Sequence, residues 1–180
     1  MIVRDGSKVP FRNIPAAGDA TIDLTVAQYI YYDLQADHLA LSNPLYARIL
    51  DDAFRHSADE GFDSLQYFVH HSDIDICKVA AELSVDQLQL IKNEEPKKKL
   101  TADEVKALQL EAEERLRVDT VHLLLDFRMD YTERRLKQLG DDINAAVSDP
   151  ARMTSLLKEY ADMQKVRNAY AQKLGNNIIR

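Results

Sequence analysis

The C-terminal half of the chain is written in heptads. Val118, His122, Leu125, Met129, Thr132, Leu136, Leu139, Ile143 and Ala146 alternate at spacings of four and three. That spacing sets them along one narrow seam of a helix that packs on another helix. The helical pattern holding them runs from Ala102 to Val147, and a second runs from Pro150 to Leu174. At 1.5 Å rise per residue they span roughly 69 Å and roughly 37 Å. A return from Pro150 therefore reaches back only to about residue 123. The turns from Ala102 to about His122 need a different partner, and the N-terminal half is the candidate. The expected fold is all-α: a six-helix body joined by a long shared helix to a C-terminal antiparallel helical hairpin. Residues 1–22 are expected as an extended linker, 23–122 as the body and 123–180 as the hairpin.

Local signals place the helices of the body. Gly6, Pro10, Pro15 and Gly18 interrupt residues 1–22, where Val9-Pro10-Phe11 is at most a short edge strand. From Leu24 the pattern turns helical, with Asp23 or a near neighbour as cap. Asn43-Pro44 is a second start, with Asn as N-cap and Pro at the first helical position. Asp63 can cap a helix carrying Leu65, Phe68 and Val69, and Ser72 one from Ile74 to Leu83. Ser84 with Gln87 reads as a capping box opening Val85–Lys92, and Thr101 with Glu104 as another at the head of the long helix. Glu94 to Leu100 is a polar break. Ser148-Asp149-Pro150 starts the last helix, and Gly175 with Asn176 is expected to stop it.

The 180 residues suffice for one core plus an appendage, and 46% hydrophobic content fits a folded protein. No apolar run approaches a bilayer-spanning length, so no membrane association is expected. The single cysteine, Cys77, rules out an internal disulfide framework and fits a reducing cytoplasm. Charge is unevenly spread. Residues 1–122 carry 22 acidic and 13 basic side chains, a balance of −9, whereas residues 123–180 carry 8 and 10, a balance of +2. An acidic body argues against phosphate-backbone binding, and no direct nucleic-acid contact is expected. The basic group Arg134, Arg135 and Lys137 reads first as a solvated helix face, then as a means of steering toward an acidic protein surface.

Chemistry-bearing clusters are few. His70, His71, Asp73 and Asp75 are the densest set of potential ligands, but carboxylates in a first helical turn are ordinarily there for the helix dipole. Asp119 and His122 stand three apart, as in helical di-metal sites, yet those need the pair twice, and no histidine follows His122. Cys77 reads as a small core residue. Nucleotide-binding, nucleophile-elbow and CxxC motifs are missing, and five glycines leave little with which to build a phosphate loop. No cofactor, metal or catalytic residue is expected. More telling is the apolar surface beyond the seam. Leu124, Phe127 and Tyr131, widened by Leu123, make a second stripe. Met153, Leu156, Leu157, Tyr160, Met163, Val166, Tyr170 and Leu174 cover more of the last helix than a seam needs. Such surface either packs on the body or docks a partner, since Tyr and Met are enriched at interfaces.

Three stretches carry a family resemblance. They are Leu123-Leu124-Leu125-Asp126-Phe127 into Tyr131-Thr132-Glu133-Arg134-Arg135-Leu136, then Leu157-Lys158-Glu159-Tyr160 through Leu174-Gly175, and Asn43-Pro44-Leu45-Tyr46 upstream. Together they resemble the C-terminal helicase-binding domain of bacterial, DnaG-type DNA primase, over roughly residues 24–180. The match rests on pattern and order, without an invariant signature. It implies that residues 1–22 are the tail of a linker from a catalytic core, and that this chain itself synthesises nothing. It further implies that the hairpin docks on the N-terminal domain of the hexameric replicative helicase, bringing the primase (a nucleotidyltransferase) to the replication fork within the primosome. The expected partner-binding residues are Arg134, Arg135, Tyr160, Met163, Arg167 and Tyr170. The competing readings are a self-associating helical scaffold and a helical metal- or ligand-binding protein.

Overall fold

A computed structural model describes residues 1–16, 20–91 and 101–177. Among them the chain is mostly α-helical: α1 (Ile2–Asp5), α2 (Val26–Ala36), α3 (Pro44–His56), α4 (Ser64–Val69), α5 (Ile74–Ile91), α6 (Ala102–Ala145) and α7 (Pro150–Asn177). A two-stranded antiparallel sheet of β1 (Phe11–Pro15) and β2 (Thr21–Leu24) is added to the helices. The chain forms two compact units, Met1–Thr120 and Val121–Arg180, and the 44-residue helix α6 belongs to both.

The first unit is built inward from its N-terminus. Residues 1–22 are not a linker. Val3 and Phe11 are buried, and Val3 sits in one core cluster with Ala27, Ile49, Ala53, Phe68, Ile76 and Ala80. The segment looked unstructured because α1 has only four residues and the register of β1 is broken. Phe11 faces Leu24 and Ile14 faces Ile22, with a bulge between. Asn13 adopts φ 54° there, and its N–H donates to Asp23 Oδ1 at 2.9 Å. Backbone bonds from Val26 N to Lys8 O (2.9 Å) and from Ala27 N to Gly6 O (3.1 Å) tie this segment to the head of α2. Ser7 and Ser64 exchange backbone-to-hydroxyl bonds at 3.3 and 3.2 Å. Asp5, also buried, holds Arg4 at 2.7 Å and Lys8 at 2.6 Å.

Helix starts follow the caps closely. Asn43 Oδ1 accepts from Leu45 N at 2.9 Å, Asp63 Oδ1 from Gln66 N at 2.9 Å and Asp149 Oδ1 from Arg152 N at 3.1 Å. Thr101 and Glu104 form the expected reciprocal box. Several local expectations fail. Leu24 ends β2, and α2 begins one residue beyond Thr25, which caps it with Gln28. Asp73 rather than Ser72 caps α5, accepting from Asp75 N at 2.9 Å. The two helices expected across residues 74–92 are one, α5, and Ser84 turns its hydroxyl back to the Ala81 carbonyl at 2.7 Å instead of opening a new helix. Gly175 does not end α7, which runs to Asn177. The polar break at 94–100 lies outside the described residues. Six helices still contribute to the first unit among the described residues, though α1 replaces the helix that α5 absorbs.

In the second unit, Arg135 pairs with Glu159 at 2.5 Å and Arg167 with Glu133 at 3.4 Å. Rising numbers on α7 meet falling numbers on α6, so the two helices are antiparallel. The buried line is Thr132, Leu136 and Leu139 on α6 with Ala146 just past its end, all expected heptad positions. The heptad does not hold upstream. Val118 is 40% exposed, while Thr120 is fully buried, with its hydroxyl donating to Leu116 O at 2.7 Å and 3.2 Å from Met1 Sδ. Residues 101–112 are exposed throughout, so contact with the N-terminal half begins only near Glu113 rather than at Ala102.

Candidate functional site

The apolar residues of α7 decide which face is available. Met153, Leu156, Tyr160, Met163, Tyr170 and Leu174 are all half-buried, and with Arg167 they recur at steps of three and four. That is a heptad line turned toward α6. Four of the six expected partner-binding residues therefore lie on the line that packs the pair together. Arg167 already pairs with Glu133, and Arg135 with Glu159. The opposite face of α7 carries Thr154, Lys158, Ala161, Lys165 and Asn168, all exposed. Leu157 and Val166 flank the line and are exposed. Of the expected six, Arg134 and Arg167 are exposed, and Arg134 Nε is bonded at 3.3 Å to the carbonyl of Asp130 in its own helix.

On α6 the situation is reversed. Leu123 is 45% and Tyr131 44% exposed, and Phe127 between them is half-buried. At 100° per residue Leu123, Phe127 and Arg134 lie well over a quarter-turn from the buried Leu136 and Leu139, while Tyr131 lies about 80° from Leu139. The second stripe seen in sequence is thus real, but Leu123 belongs on it and Leu124 does not, since Leu124 is buried. Asp126, Asp130 and Lys137 are exposed beside it. The result is an apolar strip edged by both signs of charge, the usual anatomy of a protein-binding surface. Angle alone does not separate Leu123 from Leu124: with Leu123 at 0°, Phe127 and Tyr131 fall at about 40° and 80°, and Leu124, at about 100°, lies beside Tyr131, so its burial is set by contacts and not by the pattern.

The polar cluster of the first unit is arranged around a helix junction. His70 Nδ1 lies 2.9 Å from Gln66 O at the end of α4. His71 Nδ1 accepts from Asp73 N at 3.0 Å, which leaves the ring proton on Nε2, 3.4 Å from Asp52 Oδ2. Asp73 also binds Arg48 at 2.6 Å. Its carboxyl is held below the ordinary range, first by the Asp75 backbone N–H and then by Arg48. Burial, with Asp52 nearby, raises the Tyr67 phenol above its usual value. These groups join α3, α4 and α5. Cys77 donates to Val69 O at 3.1 Å, Asp119 is exposed and His122 is half-buried on α6. Among the described residues no three His, Cys, Asp or Glu side chains gather as a metal site, and no helix is long and apolar enough to cross a membrane.

Two open grooves flank the crossing of β1 and α6. One, of about 660 Å³, is walled by Phe11, Ile14, Ala107 and Leu110; the other, of about 710 Å³, by Arg4, Lys8, Arg115 and Leu116. The Arg12–Glu113 ion pair (3.1 Å) lies beside both. Neither a curated protein nor a solved structure matches the chain. Residues 1–178 match the family described as "Domain of unknown function (DUF8430)", and the chain belongs to that family.

Proposed function

We propose that this chain is a non-catalytic protein-interaction module of a bacterial DNA primase, and that its α6–α7 pair docks on the N-terminal domain of the hexameric replicative helicase to recruit primase to the fork. The observation that carries the docking role is the strip Leu123, Phe127 and Tyr131. It is apolar, accessible and turned away from the seam that holds the pair together. The identity of the partner rests on the sequence resemblance, which covers the same two helices. The contact set that follows is Leu123, Phe127, Tyr131 and Arg134. Arg135, Tyr160, Met163, Arg167 and Tyr170 act indirectly, by holding α6 and α7 in register.

Titration calorimetry of the whole chain against the N-terminal domain of a bacterial replicative helicase tests this. Saturable binding is expected, and Phe127→Ala with Tyr131→Ala should weaken it by about 2 kcal/mol, as loss of a paired hot spot does. Absence of binding by the folded wild-type chain would remove the helicase reading. The same strip could pair two copies of this chain, and sedimentation velocity over a wide concentration range separates the cases: a persistent monomer excludes the scaffold.

A further inference from the structure

Residues 101–112 are the longest run of described residues without a single buried or half-buried side chain. Val105 is 41%, Leu108 51% and Leu110 70% exposed. Helical order there draws on little packing. What supports it is the Thr101–Glu104 capping box and a sequence of good helix formers, Lys106-Ala107-Leu108-Gln109-Leu110-Glu111-Ala112. About three turns supported only this way fray readily, because each residue at the end of α6 gains one backbone hydrogen bond and little burial against the entropy of fixing it. Just beyond, the support changes. Glu113 is half-buried and ion-paired to Arg12 of β1, Leu116 is half-buried, and Thr120 is fully buried.

We propose that Ala102–Ala112 is a separately melting helix head, bounded at its base by the half-buried Leu116 and the buried Thr120, which orders and frays without unfolding the rest of the first unit. The head supplies Ala107 and Leu110, one wall of the groove whose other wall is Phe11 and Ile14. Phe11 is buried and stacked on Tyr29 at 3.7 Å, so that second wall stays in place. The groove is therefore complete only while the head is formed, which makes the head a gate on that side of the unit.

Hydrogen exchange on the full chain, read by mass spectrometry or NMR, tests this directly. Amides of Lys106 to Ala112 should exchange at least about a hundredfold faster than those of Leu136 to Leu139, as local opening requires. Arg12→Ala should speed exchange at residues 113–116 by no more than about twofold, as loss of one exposed ion pair does, and leave Ile49 to Ala53 unchanged. Ala107→Pro should leave the denaturation midpoint of the first unit where it was. Equal protection of the two stretches of α6 would overturn the proposal. So would an Ala107→Pro midpoint shift as large as that of a proline set in a packed helix.

Discussion

The two units solve the burial problem with different geometries. Met1–Thr120 brings α1 to α5 around Phe68 and Ile76, and its core residues come from five helices and the sheet. Val121–Arg180 has two helices among the described residues, and its buried apolar residues there are Leu124, Leu136 and Leu139 on α6 and Ala146 in the turn just after it. A side chain in the first unit meets neighbours from several directions, whereas one on a helix pair meets them along a line. A pair of helices can close a seam of two or three positions in seven and no more, so any wider apolar stripe stays open. The strip at Leu123, Phe127 and Tyr131 is that remainder. The first unit has its own exposed apolar residues, singly placed on its helices, such as Tyr32 on α2, Tyr46 on α3 and Ile74 on α5, besides Leu108 and Leu110 on α6.

If this contrast is right, truncations should hurt most where contacts converge. Phe68→Ala should cost about 3–5 kcal/mol, read as the loss of the first unit's transition in urea. Leu139→Ala should cost about 2–3 kcal/mol, but the loss should fall on the helix pair alone: exchange accelerates in α7 while Ile49 and Ala53 stay protected. A change that melts both units together would break the comparison.

Tyr160→Ala with Met163→Ala sharpens it. These residues lie on the seam line, so the double variant should lower the stability of the pair by about 2 kcal/mol. A stable pair with lost partner binding would show instead that they face outward.

Asp5→Asn should cost about 1–2 kcal/mol near neutral pH. Burial by itself would raise the Asp5 carboxyl, but hydrogen bonds and charge from Lys8 and Arg4 outweigh it and hold it below the ordinary value. A depressed folded value means the stabilisation is complete above the unfolded carboxyl's pKa, about 4, and disappears as pH falls through the lower folded value. The gap between wild type and Asp5→Asn should therefore close in acid, and a gap that widened there would refute the ion-pair account. Smallest of all, Arg167→Ala should move stability by no more than about 0.5 kcal/mol, since its bridge to Glu133 is solvent-exposed.

Much of the secondary structure was legible because its causes are short-range. Asn43-Pro44, Asp63, Thr101–Glu104 and Asp149 each act within one helical turn, and each opens a helix where the residues say it should. Ser72 and Ser84 misled because Ser competes both as a cap and as a back-bonder to the preceding turn, and only the surrounding path of the chain selects between them. The N-terminal segment was hidden for a related reason. A four-residue helix and a bulged hairpin have no period to detect, and what makes them structured is the core that Val3 and Phe11 enter. Exposure at Tyr160 and Met163 was inferred from chemical type, whereas both are half-buried on the line of α7 that recurs at steps of three and four.

By itself, then, the sequence determined the all-α class, the long shared helix, its antiparallel return and the contrast in charge between the two ends. These follow from heptad spacing, caps and composition, each a property of neighbours along the chain. Tertiary structure alone decided that Val3 and Phe11 of the N-terminal segment are buried, that Thr120 and not Val118 is buried, and that the open strip runs through Leu123, Phe127 and Tyr131. Burial depends on what lies opposite, and the residue opposite is set by contacts between segments far apart in sequence.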